Sequence, residues 1–234
     1  MTDALTACLP SATDADRPWL VWYAPGERVE LTGHVLHMWQ CKIANLLSDE
    51  LAVATPLVHI GLGVHWRTVT WCCGTWLAGG AVAFDATRAP QAAAMAADPD
   101  VSVAFAPAGL VASAELQVLV PRAALAVRWP GDLPPLVLDG VADLMPRADD
   151  FTPPVSNGTQ PALVRATGRS EAVSRDALVT GLADFTDRAD AAGRRAALVQ
   201  VPGDAPEDAM RGVLAAWRVG LTAVLLSPDA DADL

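Results

Sequence analysis

The chain has 234 residues, 52% of them hydrophobic, and a formal net charge of -11. This apolar content excludes a disordered chain, and a chain of this length buries a core without disulfide or metal staples. An acidic surface repels a phosphate backbone, which argues against nucleic acid as a partner.

Residues Met1 to Pro18 carry neither a basic n-region nor an apolar run of signal-peptide length. Apolar stretches such as Leu57–Val64 are too short to span a bilayer. Of the four cysteines, Cys8, Cys41, Cys72 and Cys73, the last two are adjacent within an apolar helical pattern. That placement suits reduced core thiols better than a disulfide framework. A soluble, cytoplasmic protein with no membrane partner is expected.

Trp19–Tyr23 reads as a short strand, Ala24-Pro25-Gly26-Glu27 as a turn, and Arg28–Leu31 as the returning arm of a hairpin. Thr32 offers an N-cap for a helix to about Leu51, with Val35, Leu36, Trp39, Ile43, Leu46 and Leu47 on one face. Leu57–Ile60 is a buried strand, Gly61-Leu62-Gly63 a turn, and His65 to about Leu77 a second helix. After Gly79-Gly80 comes a strand, Ala81–Phe84, ending at Asp85. A helix over Arg88–Ala97, a strand over Val101–Phe105 and another over Ala123–Val127 are expected next. Six prolines make Pro130–Thr159 poor in regular structure. Beyond it, Ser174 caps a helix from Arg175 to about Ala191, Ala196–Val201 is a strand, and Pro202-Gly203 turns. A helix over Glu207–Val219, a strand over Thr222–Leu226 and an acidic tail, Asp229–Leu234, complete the chain.

The order helix, strand, helix, strand occurs twice. Leu57-Val58-His59-Ile60 lines up with Leu198-Val199-Gln200-Val201, and Trp76 to Gly79 with Trp217 to Gly220, both at an offset of 141. Apolar strands covered by helices on both faces favour parallel sheets with right-handed crossovers. The expected fold is α/β: two stacked, pseudo-repeated halves, 17–129 and 160–234, joined by a Pro-rich connection, 130–159.

These residues resemble a known family. Thr32 to Leu51, with Ile43-Ala44-Asn45-Leu46-Leu47, is similar to the opening helix of adenylate-forming enzymes, the superfamily of acyl-CoA ligases, nonribosomal adenylation domains and luciferase. Trp76-Leu77-Ala78-Gly79-Gly80-Ala81-Val82-Ala83-Phe84-Asp85 resembles the superfamily's next element, a helix end, a Gly turn and a strand closing on Asp. The chain as a whole is similar to short actinobacterial proteins that resemble the truncated N-terminal part of AMP-binding enzymes. The order and spacing of the motifs carry the resemblance.

In working members a Ser/Thr/Gly-rich phosphate loop ending in Pro-Lys-Gly precedes the second-half helix. Here the matching stretch is Pro161 to Val173, and only Thr167, Gly168 and Ser170 keep its character. A phosphate cradle needs successive backbone N–H groups freed by glycines, plus a cation. Arg169 can replace the charge but not the loop, and Glu171 stands close by. The resemblance also implies aromatic adenine-binding segments, a magnesium element and a lid with the adenylating lysine, none of which this sequence matches. Lys42, its single lysine, belongs to the first helix. No catalytic residue, no metal and no cofactor is therefore expected, with ATP or AMP as the ligand the resemblance would otherwise imply.

Other constellations are weaker. Gly61-Leu62-Gly63 followed by Asp85 fits part of a dinucleotide fingerprint, but Trp66 stands at the third glycine position. His34, His37 and Cys41 share a helix face without a fourth ligand. Most of the eight tryptophans should be core, with Trp129, beside Pro130, exposed. Ser156 and Ser174 have no histidine at hydrolase spacing.

Three functional readings stand. The first is a non-catalytic, degenerate adenylate-forming fold with a structural, association or regulatory role. The second is a small-molecule binding module with part of an acyl, adenylate or nucleotide pocket between the halves. The third is an enzyme part completed by another chain. A strongly apolar fold stripped of covering subdomains is expected to form a two-fold homodimer, with an unidentified protein or small molecule as a further partner.

Overall fold

The computed structural model describes residues 3–14, 17–84, 98–167, 169–183 and 195–230. Two short strands, β1 (Pro18–Ala24) and β2 (Glu27–Thr32), form a hairpin through the Pro25-Gly26 turn. Thr32 then caps α1 (Gly33–Glu50), its hydroxyl accepting the Val35 N–H at 3.3 Å. A parallel unit follows: β3 (Leu57–Gly61), α2 (Trp66–Leu77), β4 (Ala81–Phe84) and β5 (Val101–Ala104). All twelve residues of α2 are buried, as a helix lodged between two layers must be.

The next strands depart from expectation. β6 is Leu116–Leu119 and β7 is Val137–Asp139, whereas Ala123–Val127 forms turns outside the sheet. The apolar run before Pro121 is the one that is buried: Val118, Leu119 and Val120 are inaccessible, while Leu125 and Val127 face solvent. β7 lies within the Pro-rich stretch and pairs with β6.

The chain then repeats itself closely. β8 (Pro161–Thr167) and β9 (Arg169–Ser174) form a hairpin with an irregularity between Pro161 and Leu163, matching that between Pro18 and Leu20 in the first hairpin. Ser174 caps α3 (Arg175–Thr180), accepting the Ala177 N–H at 3.1 Å as Thr32 does for α1. α3 ends at Gly181 rather than running on as one helix; residues 184–194 lie outside the described residues, as do Asp85, the expected helix over Arg88–Ala97 and the end of the acidic tail. β10 (Ala196–Val199), α4 (Pro206–Arg218) and β11 (Thr222–Leu226) complete the second unit.

Among the described residues the sheets have the orders β7-β6-β5-β3-β4-β8-β9 and β10-β11-β1-β2, parallel except for the two hairpins. Each hairpin joins the sheet of the other unit: β1 pairs with β11, and β8 with β4. The halves are thus interlocked by reciprocal exchange, and the core is continuous between them.

Gly79 and Gly220 occupy equivalent turns, with φ +84° and +77°. In both, the glycine N–H bonds the carbonyl three residues back and the next N–H reaches five back, to Thr75 and Ala216, a left-handed cap that glycine adopts without a Cβ penalty. One detail of the repeat shifts. Leu57 pairs with Ala81, but the residue pairing with Thr222 is Ala196, not Leu198. The strands align two residues from the sequence match, a slip that preserves which face points inward.

Six tryptophans are buried; Trp39 and Trp129 are half-buried. The four cysteines are free, and burial pushes the Cys72 and Cys73 thiols up. Among the described residues no helix is long and apolar enough to cross a membrane.

Candidate functional site

Ligands of open parallel sheets sit outside the carboxyl ends of the strands. Here the ends of both sheets meet at a cleft of about 320 Å3 bounded by the Gly61–Val64 loop, Phe105, Arg122, Asp204 and Asp229. The Arg122 guanidinium lies 5.3 Å from the Phe105 ring centroid.

The Gly61-Leu62-Gly63 turn does not present an open anion site. Asp204, from the loop after β10, places Oδ1 2.6 Å from the Val64 N–H at the head of α2. Gly63 has φ +61°, and a Cβ there would lie 2.5 Å from Asp204 Oδ2. A carboxylate of the second unit thus caps the helix that a dinucleotide phosphate would use.

His65 caps the same helix, Nδ1 accepting the Arg67 N–H at 3.1 Å, which leaves the proton on Nε2. Its ring packs 4.8 Å from Phe105 and 4.9 Å from Trp22. Burial, reinforced by Arg67 and Arg122, brings its pKa down to about 3, so it is neutral at physiological pH. Arg67 is also buried, its guanidinium 4.4 Å from the Trp66 ring centroid. Burial lowers its pKa to about 10 against the attraction of Glu27 and Asp139, and it remains a cation.

At the phosphate-loop position the ladder of β8 and β9 runs to the pair Thr167↔Arg169, with Ala166↔Ser170 behind it, leaving only residue 168 between the strands. Thr167, Arg169 and Ser170 therefore lie on paired strands, and Gly168 lies outside the described residues. Two residues back, Arg165 grips Glu207 of α4, with Nε 3.0 Å and 3.2 Å from the two carboxylate oxygens and Nη2 also donating to Oε1. Arg211 donates to the same carboxylate at 3.1 Å. The hydrogen bond to Glu207 raises the Arg165 pKa; burial would raise that of Glu207, but the two guanidiniums lower it. Arg165 and Arg211 are thus already paired with Glu207. A triphosphate needs an extended cradle and a free cation, and these residues do not fit one.

Lys42 is buried in α1, its Nζ donating to the carbonyls of Met145 and Arg147 at 2.9 and 2.6 Å and lying 2.5 Å from Asp149. It fastens the Pro-rich stretch to the core. Among the described residues no three His, Cys, Asp or Glu side chains gather into a metal-holding group. His34 is exposed, while His37 lies 3.5 Å from Cys41 and 3.3 Å from the Pro10 carbonyl.

Sequence reasoning missed Asp204, which follows the Pro202-Gly203 turn and stands 140 residues from the N–H it caps. It also missed the contact of His59 Nδ1 with Ser102 Oγ at 3.0 Å, a cross-strand pair between β3 and β5. Both residues are inaccessible, and Ser102 accepts the Val111 N–H, so the pair braces the sheet.

No family model matches the chain. A protein of Mycobacterium tuberculosis, named only for its family, is 38% identical over 78 residues, 32% of each chain. Among solved structures, an acyl-CoA synthetase of Brucella canis superposes with a TM-score of 0.75 at 18% identity, covering 96% of this chain and 43% of that one. MatB of Rhodopseudomonas palustris gives 0.72 at 16% identity, covering 100% and 46%. Acetoacetyl-CoA synthetase from Streptomyces lividans gives 0.70 at 14%, covering 95% and 38%. The fold is that of the N-terminal part of adenylate-forming enzymes, and the chain spans less than half the length of these relatives.

Proposed function

We propose that the chain is a non-catalytic, degenerate adenylate-forming fold whose role is association or regulation. The observation that carries this reading is the β8–β9 ladder, which stays paired up to Thr167↔Arg169 where an extended phosphate loop would be needed. The Asp204 carboxylate at the head of α2 and the Arg165–Glu207–Arg211 cluster support it, since each occupies a group an anion would need. Without electrostatic stabilisation of a transferring phosphoryl group, adenylation has no source of rate. The test is pyrophosphate exchange with a panel of carboxylates and amino acids. The expected rate is that of a blank without protein; exchange clearly above it refutes the reading.

A second reading, a small-molecule binding module, is favoured by the cleft itself. Its wall offers one guanidinium, one aromatic ring and two carboxylates in a volume suited to a small polar ligand. Fragment titration followed by chemical shifts of Phe105 and Arg122 tests it; shifts confined elsewhere reject it.

A further inference from the structure

Leu136 is the one residue other than glycine with positive φ among the described residues, at +65°. Val137 N–H bonds the Pro134 carbonyl at 3.2 Å around Pro135 and Leu136, the pattern of a type II turn, whose third position favours glycine. The strained side chain is 97% exposed, so no contact within this chain compensates the strain.

Leu136 immediately precedes β7, the edge of the seven-stranded sheet. At the far end of that strand, residues 123–129 are pinned at three points. Arg67 Nη2 donates to the Ala123 carbonyl at 3.4 Å, Ala124 N–H to Glu27 at 2.9 Å, and Trp129 N–H to Asp139 at 2.6 Å. Between the pins Leu125 and Val127 are 94% and 73% exposed. Arg122 and Arg128 are exposed beside them, and the sequence from Leu116 to Gly131 contains no acid. The rim is preorganised, apolar and basic in a chain of net charge -11.

A surface of opposite character lies at the foot of β3. There a groove of about 370 Å3 runs between Leu47, Pro56, Phe151 and Pro154, with Val53 42% exposed at its mouth. Asp49 and Asp150, next in sequence to the lining residues Ser48 and Phe151, are exposed, as are Glu50 and Asp149. Arg147 pairs with Asp49 and Glu50 and Lys42 with Asp149, so four carboxylates face two cations and the patch stays net negative. One surface projects aliphatic side chains among arginines; the other recedes within a patch that stays net negative after its ion pairs.

We propose that copies of this chain associate through these two surfaces, the β7 rim of one copy seated in the groove of the next. The proposal rests on the association part of the reading above and is independent of nucleotide binding. Sedimentation equilibrium of the full chain across the micromolar range tests it. The expected mass exceeds 24.4 kDa, rises with concentration and falls with salt as the rim charges are screened. Leu136→Gly removes the side chain and relieves the φ angle, so it weakens association about tenfold or more without lowering the unfolding temperature. Leu125→Ser and, at the groove, Val53→Arg weaken it as well, whereas Leu198→Ser, exposed on the edge of the other sheet, leaves it unchanged. A mass fixed at 24.4 kDa at every loading overturns the proposal, as does association indifferent to the rim and groove variants.

Discussion

Trp76 and Trp217 perform the same act in the two halves of the molecule. Each closes a helix just before a left-handed glycine, and each indole N–H reaches one strand beyond its own unit. Trp76 donates to the Ala162 carbonyl at 2.9 Å and Trp217 to the Trp19 carbonyl at 2.8 Å. Because Ala162 belongs to β8 and Trp19 to β1, these bonds fix the exchanged hairpins in place. Replacing either tryptophan by Phe should cost about 1–3 kcal/mol for the carbonyl left without its donor, plus a cavity contribution. Urea unfolding should give similar losses for the two variants, since the sites are equivalent. A loss at one site only would contradict the equivalence.

The buried pair Asp3–Arg175 binds the N-terminal segment to the start of α3. Nε of Arg175 lies 2.9 Å from Asp3 Oδ1, and Nη2 donates to Thr6 Oγ1 at 2.8 Å and to the Trp76 carbonyl at 3.1 Å. Burial would raise the Asp3 pKa, but hydrogen bonds from Arg175, Ser156 and Thr6 hold it well below the usual carboxylate range. A depressed carboxyl pKa contributes stability that is present above the unfolded value of about 4 and is lost as pH falls below it. Wild-type stability should therefore drop below pH 4 more steeply than that of Asp3→Asn. At neutral pH, Asp3→Ala should cost about 3–5 kcal/mol, because it leaves a buried guanidinium without its counter-ion.

His65 gives a second pH signature. Its folded pKa, about 3, lies below the unfolded value of about 6.5. The unfolded chain then takes up a proton that the folded chain refuses, so this contribution is complete above pH 6.5 and declines as pH falls toward 3. Carbon-detected NMR of the imidazole should show no titration between pH 8 and pH 5. A midpoint near 6.5 would mean that the ring is solvated, contrary to its packing against Trp22 and Phe105.

How much of this was legible in the sequence depends on the range of the contact. Thr32 and Ser174 announced their helices because a cap acts over three residues, and Gly79 and Gly220 announced their turns for the same reason. The parallel units were legible from continuous apolar runs between helical patterns. Hairpin exchange was not, since a strand's partner is chosen by tertiary packing, and the β8–β9 hairpin, read from sequence as the phosphate-loop position, lacks the Pro-Gly turn of the first. The β6 run was passed over for Ala123–Val127, where an apolar composition faces solvent. At the site, Asp204 and Glu207 gave no sign in the sequence of the N–H and the guanidinium they would meet.

The turn at Gly63 offers a local test. Gly63→Ala meets both a left-handed φ and the Asp204 carboxylate, so it should destabilise the chain by more than about 1 kcal/mol. Asp204→Ala should cost about 0.5–2 kcal/mol as a lost helix cap. In the double variant the cost of Gly63→Ala should shrink, because its clashing partner is gone; thermal unfolding of the four proteins closes the cycle.

The central claim is that this fold has lost the means to hold a nucleotide triphosphate. Calorimetric titration of the full chain with Mg·ATP measures that directly. The account predicts no saturable heat at millimolar nucleotide, because β8 and β9 stay paired up to Thr167↔Arg169 and Arg165 and Arg211 are committed to Glu207. A saturable isotherm with one nucleotide per chain, abolished by Arg165→Ala, would show that the cluster opens to receive phosphate and would contradict it.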